Sequence, residues 1–394
     1  MRLTFELSDC FDHLVAESVD LARVRERALR GETLHVKLGI DPTSPDLHLG
    51  RTLPLWRLRA FQELGHQIHL IIGSFTALVG DTSDKDSERP MLTAEQVKLN
   101  MAHYEEQLWL VLNPEKKDLV HIHYNHEWLE KLTFSELISL ADAFSVNQFV
   151  KRELIAKRLE AGSRVSLREL FYPIMQGYDS VVVKADIELG GTDQWFNLLA
   201  GRVLQEQKGM QPQAIITGEL ITDSTGKKMS SSQGNGIILN QTPFGFFTSI
   251  MQVADADITM VHRCLPRSAH LMSERELQET LATSNPRDVK LKLAARFVEL
   301  FWGDGAASSV SAQWEHETQQ KALPETMGEF LLTNGSSVIA VLVSSGLATS
   351  NTDARRIIDQ GGVRLDGEQI TSHQYVLTPG ILQVGKHRFL KLEK

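Results

Sequence analysis

TLHVKLGIDPTSPDLHLGRTLPLWRLRAFQELGHQIHLIIG, residues 33–73, is the stretch on which the fold turns. Its first eight residues, Thr33 to Ile40, read as a strand and run into the turn cluster Asp41-Pro42-Thr43-Ser44-Pro45-Asp46. A helical pattern follows from about Leu49 to Leu64, where Gly65 stops it. Residues 67–73 then form a second short apolar run. Strand, helix and strand within about forty residues make a βαβ unit, which implies a parallel sheet with a right-handed crossover.

Outward from this unit, residues 1–30 carry helical periodicity and end at Gly31. Thr93–Leu112 and Thr133–Ala161 are mostly helical in pattern. Residues 181–189 (VVVKADIEL) and 214–221 (AIITGELI) read as further strands, with Gly190-Gly191 and a helix through Leu204 between them. The loop 222–236 is polar and glycine-containing. Residues 243–330 return to helix, and short strands and helices alternate from there to the end. The expected fold is α/β: a Rossmann-like parallel-sheet nucleotide-binding domain over 1–236 with a helical insertion at about 93–180. A helical domain follows over 237–327, and a small α+β module over 328–394.

Bulk properties agree with several domains, since 394 residues exceed what one hydrophobic core organises. The chain is 42% hydrophobic and 23% charged, close to the globular average, which argues against bulk disorder. A net charge of −9 argues against indiscriminate coating of nucleic acid but leaves room for a local basic patch. No stretch approaches the roughly 18–20 apolar residues that a membrane span needs, and acidic residues interrupt the N-terminal apolar runs. Cys10 and Cys264 have neither metal-type nor redox-type spacing, so buried thiols in a cytoplasmic protein are expected.

Two segments carry chemistry. Asp41 to Arg51 lies where a strand ends and a helix begins, the place where open α/β sheets bind ligands and helix N-termini attract phosphate. There His48 and Thr43 can donate to phosphate oxygens, and Gly50 admits a nucleotide to the backbone. The second segment is Lys227-Lys228-Met229-Ser230-Ser231-Ser232, where a loop lysine can stabilise charge as it develops on a pyrophosphate. It is no P-loop, because no glycine stands at the required spacing before Gly226 and Lys227 is followed by lysine. Each segment alone is equally compatible with an ordinary capping turn or a solvated basic loop.

Together, in this order and about 180 residues apart, they resemble the two signatures of the class I aminoacyl-tRNA synthetases. His48-Leu49-Gly50-Arg51 is similar to the HIGH signature, and Lys228-Met229-Ser230-Ser231-Ser232 to KMSKS. Tyr172, Gln176 and Asp179 stand at i, i+4 and i+7, one helix face bearing phenol, amide and carboxylate. Gly190-Gly191-Thr192-Asp193-Gln194 follows a strand, where Asp193 can accept from ribose hydroxyls. With these segments the resemblance narrows to the bacterial tyrosyl-tRNA synthetases and covers nearly the whole chain.

That resemblance implies ATP and L-tyrosine as substrates, Mg2+ arriving with ATP, tRNA(Tyr) as partner, a cytoplasmic homodimer, and neither membrane nor DNA as partner. It implies that Asp179 accepts from the substrate's phenol while Tyr172, Gln176, Thr76 and Asp81 surround its ammonium, with Asp41 and Gln194 in support. Asp193 and Gly191 hold the ribose, with Gly39, Gly50, Met229 and Ser230 also on the ATP side. Thr43 and His48 meet the phosphates, with Arg51 beside them, and Lys85, Arg89 and Lys228 neutralise the departing pyrophosphate. The substrate's own carboxylate is the nucleophile, so neither a general base nor a covalent enzyme intermediate is expected.

The chain departs from the family pattern at several points. Arg51 replaces the second histidine of HIGH, and Ser231 the second lysine of KMSKS. GDTSDKDSER (Gly80–Arg89) lacks the proline and glycine of the commoner form but keeps Asp81, Lys85 and Arg89. Lys37 stands where many relatives offer a tyrosine to the substrate's phenol, which assigns it to the tyrosine site.

From Ser336 on, seven Lys/Arg stand against five Asp/Glu, so positive charge concentrates at this end. Arg355 and Arg356 on a short helix, and Arg364 ahead of the Asp366-Gly367 turn, resemble the S-four-like RNA-binding domain that ends many bacterial tyrosyl-tRNA synthetases. His121, His123 and His126 have a metal-like look, but no nearby cysteine or carboxylate completes a site, and no metal is expected. Three readings stay open beside the tyrosyl one: a tryptophanyl enzyme, a catalytically silent RNA-binding protein, and an adenylating enzyme of secondary metabolism.

Overall fold

The structure is a computed structural model describing residues 3–81, 91–229, 236–319, 327–332, 335–385 and 388–393. The chain forms two compact units, Met1–Ser311 and Ala312–Lys394. In the first, six strands make one sheet: β1 (Val15–Val19), β2 (His35–Ile40), β3 (Gln67–Ile72), β4 (Val120–Tyr124), β5 (Ile187–Gly191) and β6 (Ala214–Gly218), in the spatial order β1-β6-β5-β2-β3-β4. Every pairing is parallel except β1 with β6 at the edge. The β2–β3 pair with the helix Thr52–Glu63 between is the βαβ unit expected from residues 33–73. β2 and β3 are buried along most of their length (Val36, Leu38, Ile40, Ile68, Leu70, Ile72), as parallel strands covered on both faces must be.

The chain leaves β4 for a run of short helices and returns through the long helix Leu167–Val182 to β5, on the other side of β2. The crossovers therefore diverge between β2 and β5, the switch point where open α/β sheets hold ligands. Leu167–Val182 starts with a capping box between Ser166 and Glu169 and contains Pro173. It lies against the helix Trp195–Gln207 so closely that a Cβ on Gly177 would sit 2.9 Å from the backbone carbon of Ala200.

Two local expectations are corrected, and one strand is added. Val181-Val182 belong to the helix and not to a strand; Lys184 turns the chain in a left-handed conformation, and β5 begins only at Ile187. β1 lies inside the stretch read as helical, because an exposed edge strand shows no burial alternation. The polar VHIHY is a strand, β4, whose imidazoles face His69.

Cys10 and Cys264 are free, buried thiols; burial pushes the Cys264 thiol up to about 12. Among the described residues no helix is long and apolar enough to cross a membrane. The second unit has its own five-stranded sheet, β7 (Gly328–Leu331), β8 (Val363–Leu365), β9 (Glu368–Gln369), β10 (Gly380–Val384) and β11 (Arg388–Glu393), ordered β7-β11-β10-β8-β9. Its core joins Val338, Leu342, Ala354 and Ile358 from two helices to Val363 and Leu382 from the sheet.

Candidate active site

At the carboxyl end of β2 the chain turns at Asp41, and at the end of β3 it turns at Gly73. A side chain at Gly73 would collide, its Cβ lying 1.9 Å from Asp41 Oδ1 and 2.4 Å from Thr76 Oγ1. Without one, Thr76 Oγ1 donates to Asp41 Oδ1 at 2.7 Å, and the Tyr172 hydroxyl donates to Asp41 Oδ2 at 2.8 Å. Burial first and the Asp41 carboxylate second raise the Tyr172 phenol well above its ordinary value, which keeps it a donor.

One wall continues from here. Asn125, after β4, donates to Thr76 Oγ1 at 3.1 Å and to Asp179 Oδ2 at 3.3 Å, while its carbonyl accepts from the Phe75 amide at 2.8 Å. Trp128 Nε1 donates to Asp179 Oδ1 at 2.8 Å. Asp179 is 2% exposed. Desolvation pushes its carboxyl up to about 7, against the opposing pull of Lys37, Trp128 and Asn125. Gln194 Nε2 donates to Asp81 Oδ2 at 2.7 Å, and Gln194 Oε1 accepts from Asn197 at 3.1 Å. All of these carboxylates, with Gln176, line one cavity.

The same cavity runs on to the nucleotide-type residues. Gly39, Gly190 and Gly191 line it from the ends of β2 and β5, and Thr43, His48, Gly50 and Arg51 from the loop after β2. Leu49 N donates to Ile237 O at 2.7 Å and Leu239 N to Leu47 O at 2.8 Å, so the HLGR segment pairs with the chain that follows the KMSSS loop. Gly50 N approaches Met229 Sδ at 3.1 Å, and Lys228 Nζ meets Asp193 Oδ2 at 2.7 Å. Backbone pairing thus brings the two signatures together. Burial, then Arg51 and Lys228, lowers the His48 imidazole to about 3, so it faces the cavity neutral. Its Nδ1 is buried with no hydrogen-bond partner among the described residues.

One expected site residue lies elsewhere. Lys37 is fully buried and does not line the cavity. Its ammonium donates to Gln176 O at 2.8 Å, Ser180 Oγ at 2.7 Å and Glu188 Oε1 at 2.8 Å. All three hydrogens are used, so none is left for a substrate's phenol, and the expectation of direct contact is corrected. Lys85, Arg89 and Ser230 lie outside the described residues. Arg355, Arg356 and Arg364 are exposed on the second unit; Arg356 pairs with Asp353 at 2.7 Å, and Arg364 donates to Gly367 O at 3.0 Å.

Of the histidines of HIHYNHEW, His121 and His123 share a face and both stack on His69, while His126 leaves them. His123 Nε2 lies 3.0 Å from His69 Nδ1 and His121 Nε2 lies 2.6 Å from Gln67 Oε1, while His126 turns to Ser74 at 2.7 Å.

A family model described as tRNA synthetases class I (W and Y) matches residues 29–317, which include both signatures and every residue of the wall just described. The chain belongs to this family. An S4 domain model matches residues 339–380. The tyrosine–tRNA ligase of Thermotoga maritima is 39% identical over 96% of this chain and 95% of its own length. That of Carboxydothermus hydrogenoformans is 40% identical over 96% and 94%. Among solved structures, a C-terminally truncated mitochondrial tyrosyl-tRNA synthetase of Coccidioides posadasii superposes with a TM-score of 0.61 at 23% identity, over 76% of this chain and 88% of that one. The Archaeoglobus fulgidus tyrosyl-tRNA synthetase complexed with L-tyrosine gives 0.60 at 18% identity, over 77% and 98%. These two likenesses show the class I synthetase fold.

Three residues of this class I synthetase that shape the wall or its support went unread in the sequence. Asn125 and Trp128 sit in a segment whose histidines drew attention to metal chemistry, although an Asn-to-Trp helix start just after a strand end was there to see. Glu188 is a lone carboxylate in an apolar strand, and parallel pairing sets it opposite Lys37.

Proposed function

We propose that this class I synthetase is a tyrosine–tRNA ligase. It joins L-tyrosine to ATP as tyrosyl-adenylate with release of pyrophosphate, then passes the tyrosyl group to the 3′-terminal ribose of its cognate tRNA(Tyr). The observation that carries the reading is the continuous wall Asp179–Asn125–Thr76–Asp41–Tyr172. It sets a buried acceptor at one end and a cluster of carboxylates at the other. A phenol hydroxyl and an ammonium are the two donors of tyrosine, and this wall suits both.

In this reading Asp179 accepts from the phenol, and Tyr172, Gln176, Thr76 and Asp81 enclose the ammonium, held by Asp41 and Gln194. The tyrosine carboxylate oxygen attacks the α-phosphorus, and the bond to the pyrophosphate oxygen breaks. His48, neutral, donates to a phosphate oxygen, with Thr43 and Arg51 beside it. Lys228 and Asp193 hold each other at 2.7 Å before ATP arrives. ATP supplies a partner to each: ribose hydroxyls to Asp193 and phosphate oxygens to Lys228, with Lys85 and Arg89 joining Lys228 at the pyrophosphate. Fixed donors aimed where charge develops then carry the catalysis. Magnesium comes as the complex of ATP.

Arg355, Arg356 and Arg364 meet phosphates of the tRNA, positioning it without reading its sequence. Phe134 (78% exposed), Val146 (66%) and Leu167 (67%) leave an apolar surface on the helical insertion, and this supports a homodimer formed there. The compartment is the cytoplasm, where unpaired Cys10 and Cys264 stay reduced.

The test is charging of bulk bacterial tRNA with radiolabelled tyrosine. Acid-precipitable label that depends on ATP and tRNA is expected; label from phenylalanine or tryptophan in its place would overturn the assignment.

A further inference from the structure

Glu188 and Lys37 form a fully buried ion pair directly behind the tyrosine pocket. All three hydrogens of the Lys37 ammonium and both oxygens of Glu188 have partners. Glu188 Oε1 accepts from Lys37 Nζ at 2.8 Å and from Gln176 Nε2 at 3.2 Å. Glu188 Oε2 accepts from Ser180 Oγ at 3.0 Å and from Gln213 Nε2. Ser180 Oγ, in turn, accepts one of the Lys37 hydrogens, and another goes to the Gln176 carbonyl.

A carboxylate held by a lysine is an acceptor only, so the Gln176 amide can face it in one sense alone, NH2 inward. Gln176 also lines the cavity. Its Oε1 is thereby turned to the pocket as an acceptor.

We propose that Glu188, held by Lys37, is a positioning residue for tyrosine recognition: it locks the Gln176 side-chain amide so that its carbonyl oxygen is presented to the substrate's ammonium. The inference rests on the tyrosine reading of the pocket. It gives Lys37 a task after direct phenol contact is removed from it, and it makes the pair one device. A side chain with no acceptor at position 188 leaves the Gln176 amide no fixed sense, so Gln176 would be free to flip and point its NH2 at the ammonium.

The test is Glu188→Met, which removes the acceptor, with calorimetric binding of three ligands: L-tyrosine, tyramine, which keeps the ammonium, and 3-(4-hydroxyphenyl)propionate, which lacks it. Loss of one hydrogen bond to a charged group predicts tyrosine and tyramine weakened about tenfold or more, with the propionate unchanged. In a Gln176→Leu background, Glu188→Met should cause no further loss for tyramine. Equal weakening of all three ligands would mean general loosening and would overturn the proposal, as would no weakening of any. If Glu188→Met does not fold, the pair Lys37→Met/Glu188→Met removes both charges and leaves none buried alone. The same three ligands then decide. Failure of the unaltered chain to bind tyrosine would overturn the underlying reading instead.

Discussion

Asp179 illustrates how much burial sets the chemistry of a single carboxylate. Desolvation raises it to about 7, while Lys37, Trp128 and Asn125 favour its charged form. Between about 3.8 and about 7 the folded chain holds a proton that the unfolded chain releases, so this group costs stability as pH rises through that window. For binding the sign is opposite, because an ionised Asp179 accepts the phenol proton best. Tyrosine affinity is expected to rise as pH passes upward through about 7, and Asp179→Asn to flatten that profile; calorimetry across pH 6–8 measures both. Asp179→Ala is expected to remove the preference for tyrosine over phenylalanine, since the phenol then has no fixed acceptor. Comparing dissociation constants for the two amino acids checks this, and an unchanged ratio would contradict the role.

At the scale of elements, the site depends on one helix lying close to another. Gly177 of Leu167–Val182 abuts the Ala200 backbone, and the same helix carries Tyr172, Gln176 and Asp179. A methyl group there cannot be absorbed by a flexible side chain. Gly177→Ala is expected to destabilise by about 1–3 kcal/mol and to raise KM for tyrosine more than for ATP. Denaturant melting together with the two KM values measures this. The sequence made such elements legible where burial left a period. β2, β3 and their crossover stand out in residues 33–73, and Tyr172, Gln176 and Asp179 show one helix face. β1 and β4 were hidden because an edge strand is solvated and β4 carries imidazoles in place of apolar side chains. Val181 and Val182 misled for the reverse reason: the helix runs on through both, with Val181 packed against its neighbours, although β-branched residues favour strands. Lys37 misled because its number says where it sits along β2 but not which groups meet its ammonium.

Over the whole molecule, imidazoles largely shielded from water set the response to acid. Burial leads the depression of His48 and His69 to about 3 and of His270 to about 4, aided by neighbouring cations or imidazoles. Unfolded, each takes its proton near 6.5, so between those values the unfolded chain binds more protons. Stability contributed by these groups is therefore present above about 6.5 and is lost as pH falls toward 3–4. Thermal melting at pH 7.5, 6 and 5 is expected to show a falling midpoint, because these imidazoles together outweigh the single Asp179 carboxyl that works the other way, and a midpoint level across that range would contradict it. Phe134→Asp is expected to shift the chain toward monomer in sedimentation. An unshifted dimer would remove the insertion from the interface. The account's central claim is that one cavity activates tyrosine with ATP, and ATP–pyrophosphate exchange tests it most directly with tyrosine, phenylalanine and tryptophan side by side. Exchange that depends on tyrosine alone is the predicted result. Exchange driven by tryptophan, or none with any of the three from folded protein, would contradict it.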